Sequence, residues 1–128
     1  MKGKIMLALG LLLLLAVAFL PGEQMSLKAT IEFPFMVEGK TLPPGQYEFR
    51  QVEEGMAFRV QGDDKKGATA LIITRLDGTM RASDKSSYVV FDAVGDTNTL
   101  SEIWLPGEDG YLLAATKGRH THKIAAMK

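Results

Sequence analysis

The 128-residue chain carries 15 basic and 15 acidic residues, 46% hydrophobic residues and no cysteine. The length is typical of a single domain, and the balanced charge lacks the basic excess of nucleic-acid-binding proteins. Without cysteine, disulfides, thiolate metal sites and a lipid-anchored lipoprotein are all excluded. A domain of this composition must be held together without disulfides, by the packing of its hydrophobic core.

The first 22 residues have the features of a secretory signal peptide. Two lysines precede an uninterrupted apolar run, Ile5 to Leu20. This run is shorter than the roughly 20 residues of a membrane-spanning helix, and Ala16-Val17-Ala18 fits the small-x-small cleavage rule. We predict a signal peptide over residues 1–22, cleaved between Ala18 and Gly22, with an uncleaved anchor as the alternative. Cleavage leaves 13 basic residues against 15 acidic ones in a single domain, residues 23–128.

Beyond residue 22, glycines separate short runs in which apolar and polar residues alternate with period two, a pattern that indicates strands. In QYEFRQV, for example, Tyr47 and Phe49 are predicted to point inward, and Glu48 and Arg50 outward. The turn-sized linkers favour antiparallel connections. We predict an all-β fold, a single antiparallel β-sandwich or small barrel of about seven to nine short strands. The predicted strands are KATIEF (28–33), QYEFRQV (46–52), MAFRV (56–60), ATALIITR (68–75), SYVVFDAV (87–94), LSEIWL (100–105) and YLLAATK (111–117).

Three segments of the sequence lead to specific expectations. LIITR and YVVF carry apolar residues on both faces, so both are expected to be buried on both sides. In MAFRV, Met56, Phe58 and Val60 are expected to share one face, and Ala57 and Arg59 the other. The terminal IAAMK is expected to form a short helical turn or a frayed end.

Two stretches of the chain resemble a known group of proteins. KATIEFPFMVEGKTLPPGQYEF (28–49) and SEIWLPG (101–107) are similar to small secreted bacterial proteins, frequent in Acidobacteria, that have the patterns TIxFxFxVxGKTLPAGxY and SEIWxPG. This chain departs from the first pattern at Pro44, where alanine is usual, and the proline stiffens a turn. The resemblance implies a secreted single β domain and no particular activity, because the group is uncharacterised.

The stretch KGRHTHK places His120 and His122 one residue apart. On a strand continued from YLLAATK, the two imidazoles would share a face, and imidazole is a common ligand of divalent transition metals. A metal site needs a third ligand. Glu102, Asp92 and Asp96 are the candidates if their strands are neighbours of the histidine strand. The alternative is a polar strand end that discourages edge pairing.

Other chemistry is not favoured by the sequence. The adjacent acidic pairs lie in glycine-containing turns, unlike the separated carboxylates of glycosidases, and there is no G-x-S-x-G motif, P-loop or EF-hand calcium loop. We therefore predict no enzymatic activity and no cofactor. The basic tail KGRHTHKIAAMK is either a contact for an anionic surface or an ordinary solvated terminus.

These observations leave two functional hypotheses. The first is a secreted or periplasmic, envelope-associated module that binds or supports an unidentified partner, such as an envelope component or another protein. The alternative is a small carrier, either of a divalent metal ion at His120 and His122 or of an apolar ligand. The cavity for an apolar ligand would be the mouth of a barrel, lined by Trp104, Tyr88, Tyr111 and Phe91. Nucleic acid is not expected as a partner, and membrane contact is expected only through an uncleaved signal segment.

Overall fold

A computed structural model describes residues 26–80, 86–107 and 109–128, apart from the side chain of Met80. The predicted signal peptide lies outside these residues. In the described ranges no helix is long and apolar enough to span a membrane. Two short 3₁₀ turns cover Glu53–Gly55 and Gly78–Met80. The strands are β1 (Ser26–Ile31), β2 (Phe35–Val37), β3 (Lys40–Leu42), β4 (Gly45–Val52), β5 (Ala57–Gly62), β6 (Gly67–Leu71), β7 (Thr74–Leu76), β8 (Tyr88–Val94), β9 (Thr97–Trp104), β10 (Gly110–Leu112) and β11 (Thr121–Ala126).

The strands form two sheets. The four-stranded sheet has the order β1-β4-β5-β6, and the larger sheet has the order β11-β8-β9-β10-β7, with β2 and β3 attached beside β9. Among the described strands, all pairings are antiparallel except that of β2 with β9, where Met36 lies opposite Thr99. The all-β, sandwich-like fold predicted from the alternation is confirmed, and the sheets do not close into a barrel.

The two sheets are joined by backbone hydrogen bonds at two corners. At one corner, Lys28 and Lys128 exchange N–H···O bonds of 3.0 and 2.9 Å. At the other corner, between β6 and β7, the Ile72 N–H donates to Met56 and the Ile73 N–H donates to Leu112. The last residues of the chain therefore belong to the framework that holds the sandwich together.

The core between the sheets is aromatic-rich, and its residues come from the predicted alternation. Tyr47 and Phe49 on β4 are buried as predicted. Phe35 makes edge-to-face contacts with Tyr47 and Phe91, at ring-centroid distances of 4.9 and 5.2 Å. Edge-to-face packing is a favoured geometry for aromatic pairs. It links β2 and β4 to β8 across the core.

Strand β8 is buried on both faces, as YVVF predicted. Val89 and Phe91 face the main core, whereas Tyr88 and Val90 pack with Trp104 in a second cluster on the other face of the larger sheet. Trp104 stacks on Tyr88 at a centroid distance of 6.0 Å and is only 1% exposed. The outer face of β8 is therefore also covered.

Several predicted strands were wrong in detail. ATALIITR is interrupted between β6 and β7, both at sheet edges, and Leu71 and Ile73 are exposed. Met56 precedes β5 and is 69% exposed, so it does not share the buried face of Phe58 and Val60. The described chain has more strands than predicted. One reason is that the three-residue strands β2 and β3, separated by Glu38 and Gly39 at positive φ, are too short to show a period-two pattern.

The C-terminal segment differs most from the prediction. The YLLAATK strand ends at Leu112 as β10, and residues 113–120 form a connection that leads to β11 at the opposite end of the sheet. The tail is neither helical nor frayed. It pairs with β8 along its whole length, and the following Met127 is buried in the main core.

The glycine at position 110 is required by the second cluster. Gly110 lies opposite Trp104, and a Cβ at this position would approach the indole carbons to 2.5–2.7 Å. We expect Gly110→Ala to displace the buried indole and to lower the free energy of unfolding by about 1–3 kcal/mol. Urea unfolding followed by the fluorescence of Trp104, the only tryptophan, measures this loss.

Gly45→Ala is the matched control, because its Cβ would lie 3.8 Å from the nearest side chain, an ordinary contact distance. Unchanged stability in Gly110→Ala would contradict the packing described for Trp104.

Candidate metal centre

Strand β8 places a carboxylate on a buried face of the larger sheet. Side chains alternate along a strand, so Asp92 lies on the same face as Tyr88 and Val90. Asp92 is only 3% exposed. Its Oδ1 atom is buried and has no partner with hydrogen-bond geometry among the described residues. A buried carboxylate lowers the stability of the fold unless another group compensates its charge. The groups around Oδ1 therefore decide whether this charge is compensated.

The first neighbour of Oδ1 comes from β11. The register of β11 on β8 puts His122 directly opposite Asp92. The Nδ1 atom of His122 lies 3.0 Å from Oδ1, and its side chain is 51% exposed. The two atoms are close enough for a hydrogen bond, but the pair does not meet hydrogen-bond geometry. The contact is therefore one of proximity without a hydrogen bond.

The second neighbour comes from the connection before β11. Gly118 has a φ of +84°, a conformation that glycine adopts readily, and His120 follows two residues later. The Nδ1 atom of His120 lies 2.9 Å from the Gly118 carbonyl oxygen. A carbonyl oxygen only accepts hydrogen bonds, so Nδ1 carries the proton and donates it. In the neutral ring, Nε2 then keeps its lone pair.

The Nε2 atom of His120 is the ring nitrogen on the side of Asp92 Oδ1. The two atoms are 3.7 Å apart, and the His120 side chain is 21% exposed. The two imidazole rings stand nearly perpendicular, at 89°, with centroids 5.0 Å apart. Their nitrogens thus approach the carboxylate from two directions.

The geometry of these three groups fits a small divalent ion. One ligand atom from each of Asp92, His120 and His122 can be chosen so that all lie within 4.8 Å of one another. Bonds of about 2.0–2.1 Å at tetrahedral angles separate two ligand atoms by roughly 3.4 Å. The distances of 3.0 and 3.7 Å from Oδ1 to the two nitrogens lie on either side of this value.

The type of ligand indicates the type of ion. Imidazole nitrogens suit zinc, copper and nickel, whereas calcium and magnesium prefer oxygen ligands. The Gly118 carbonyl that fixes the tautomer of His120 is the kind of outer partner that metal-ligating histidines have in proteins. Three ligands from the described residues leave a further coordination position for water or another molecule.

The structure brings the two predicted histidines together, but not by the predicted route. His120 precedes β11 instead of sharing a strand face with His122. Among the candidate third ligands, Asp92 lies beside them. Glu102 lies opposite Val90 and accepts a 2.9 Å hydrogen bond from the Trp104 indole N–H. Asp96 lies in the exposed turn between β8 and β9.

The aromatic residues proposed for an apolar ligand do not line one cavity. Trp104 and Tyr88 belong to the cluster on the outer face of the larger sheet, whereas Phe91 and Tyr111 belong to the main core. The larger sheet separates the two sets. The arrangement therefore does not support the carrier of an apolar ligand.

The buried Asp92 carboxylate should lower the stability of the metal-free protein. Asp92→Asn keeps the shape of the side chain and removes the charge. We expect it to raise the free energy of unfolding by about 1 kcal/mol in chelator at a pH where both histidines are neutral. Urea unfolding measures the change, and Asp96→Asn, in the exposed turn, is the control expected to stay within about 0.5 kcal/mol. A loss of stability in Asp92→Asn would show that the carboxylate has a structural role.

Comparison with known proteins assigns no function to these residues. No protein-family model matches the chain, and no curated protein or solved structure shows significant similarity to it. The resemblance to the small secreted bacterial proteins stays a prediction. The function therefore has to be argued from the geometry of the three side chains.

Proposed function

We propose that this protein is an exported, non-enzymatic binding protein for a divalent transition metal ion, with Asp92, His120 and His122 as ligands. The observation that carries the proposal is the buried Oδ1 atom of Asp92. It has no hydrogen-bond partner among the described residues, yet imidazole nitrogens lie 3.0 and 3.7 Å from it. A cation between these atoms would compensate the buried charge.

A metal accounts for this arrangement better than a polar strand end does. In a structural carboxylate–histidine pair, the ring N–H is normally aimed at the oxygen. Two ligands of one ion instead direct their lone pairs at the ion, so they come close without a hydrogen bond between them. The bond from His120 to Gly118 supports the same interpretation, because it uses Nδ1, and in the neutral ring the lone pair of Nε2 is then free on the side of Asp92.

Export is the second part of the proposal, and it rests on the sequence of residues 1–22. When cell fractions are compared, we expect the protein in the periplasm or the medium. Sequencing of its N-terminus should show that the chain was cleaved between Ala18 and Gly22. Recovery of the intact chain from the cytoplasm would contradict export. The wider hypothesis of a module for an envelope component stays a prediction.

Metal binding is tested by titrating zinc, copper and nickel into the purified protein, without a histidine tag, in a calorimeter. We expect one ion per chain with a dissociation constant in the micromolar range. His120→Ala, His122→Ala and Asp92→Asn should each weaken binding by roughly tenfold or more, because each removes or weakens one ligand. Bound metal should also raise the unfolding temperature, since the ion binds the folded protein.

Two variants separate this site from nonspecific binding. Glu102→Gln and Asp96→Asn alter the two other carboxylates considered as third ligands, and both should bind zinc as the unaltered protein does. Binding that survives the loss of both histidines, or the absence of saturable binding, would contradict the proposal.

A further inference from the structure

Strand β11 is an open edge of the larger sheet. It pairs with β8 on one side, and no other described strand forms a ladder with it on the other side. All of its residues except Ala125 are exposed. The unpaired side of an edge strand is a template for pairing with another extended chain. The edge of β11 is therefore accessible to such a chain.

The backbone groups of β11 point alternately towards β8 and away from it. Just beyond the strand, the Met127 N–H donates to the Ser87 carbonyl oxygen, which continues the pairing with β8. The odd-numbered residues of β11 therefore face β8, and the even-numbered residues face away from it. The second set consists of His122, Ile124 and Ala126. Their backbone N–H and C=O groups have no hydrogen-bond partner among the described residues.

The end of the chain limits the open edge. Lys128 also faces away from β8, and it exchanges two backbone hydrogen bonds with Lys28. Beyond this pair the strands separate, and a groove of about 470 Å³ lies between Thr30 and Ala126, with Ala29 in its wall. A strand paired with β11 can therefore extend along the groove to Ala126, but not to Lys128.

Ile124 lies at the centre of this open edge. Its side chain is 53% exposed, although it is apolar. Two copies of β11 related by a two-fold axis can pair antiparallel, with Ile124 opposite its own copy. His122 then pairs with the partner subunit's Ala126, and the ladder ends where the groove ends. Each of these pairs exchanges two hydrogen bonds, which gives about six in all, and the two isoleucines contact each other across the axis.

We infer that the edge of β11 is a homodimer interface, in which residues 122–126 pair antiparallel with the same residues of a second copy. A second copy fits this edge because the symmetric register uses the unpaired backbone groups, covers the exposed Ile124 and ends beside Ala126. The dimer joins the two larger sheets into one continuous sheet. The inference does not depend on metal binding, because the pairing uses the backbone of β11.

Sedimentation equilibrium in chelator tests the inference, because chelator removes any metal that could bridge two copies. Small interfaces are typically weak, so the protein concentration should span about 10–500 μM. We expect a reversible equilibrium between monomer and dimer. Ile124→Lys places like charges opposite each other at the centre of the ladder and should raise the dissociation constant by roughly tenfold or more. The matched control is Ile73→Lys, because Ile73 is 59% exposed but lies at the corner between β6 and β7. This variant should dimerise as the unaltered protein does.

Amide hydrogen exchange, measured by NMR, tests how the two copies pair. The Ile124 N–H faces away from β8, so its exchange should slow severalfold between the lowest and the highest protein concentration. The Ala125 N–H already bonds to β8, so its exchange should be slow at both concentrations.

Each alternative outcome would overturn the inference. A monomer at every concentration would show that this edge does not bind a second copy and would leave it to a segment of another protein. A dimer unaffected by Ile124→Lys, or one without slower exchange at Ile124, would place the interface elsewhere. Equal losses in Ile124→Lys and Ile73→Lys would show a general effect of charge. Because these measurements exclude metal, their failure and the failure of the metal titrations are independent results.

Discussion

The pairing of β11 with β8 is the constraint on which both the fold and the candidate metal centre depend. Its register puts His122 opposite Asp92 and carries Met127 into the main core. It also brings Lys128 to Lys28, where two backbone hydrogen bonds join the sheets. A slip of one residue would move every side chain of β11 to the other face, so that His122 would no longer lie on the face of Asp92. A metal held by Asp92, His120 and His122 would tie the last strand and its preceding connection to the central strand β8.

The buried Asp92 carboxylate is expected to lower the stability of the metal-free fold, and a bound cation would offset this loss. This cysteine-free chain has no disulfide to stabilise it, and Asp92 occupies a position on the same face as the apolar Tyr88 and Val90. A hydrophobic residue there would extend the second cluster, whereas a carboxylate without a hydrogen bond to Oδ1 weakens the metal-free fold. Residues that lower stability are expected where a protein binds or reacts. The two imidazoles beside Oδ1 provide the place for a compensating cation.

The alternation of the sequence was enough to predict the all-β fold, the inward direction of Tyr47 and Phe49, and the burial of β8 on both faces. It was not enough to place the C-terminal strand, because a polar, mostly exposed strand such as THKIAA has no period-two pattern of buried residues. His120 and His122 were identified from their spacing, although Gly118 and the register of β11, not a continuous strand, bring them together. Asp92 was one of three candidate third ligands, and the choice among them depended on strand order, which local patterns do not encode.

The most direct test of the account is X-ray absorption spectroscopy at the zinc edge of the protein loaded with one equivalent of zinc. The account predicts a first shell of nitrogen and oxygen at about 2.0–2.2 Å, with the scattering pattern of two imidazoles. In His122→Ala, the pattern should correspond to one imidazole. A shell of oxygens without imidazole scattering, or an unchanged spectrum in His122→Ala, would show that zinc binds elsewhere and would contradict the assignment of Asp92, His120 and His122 as its ligands.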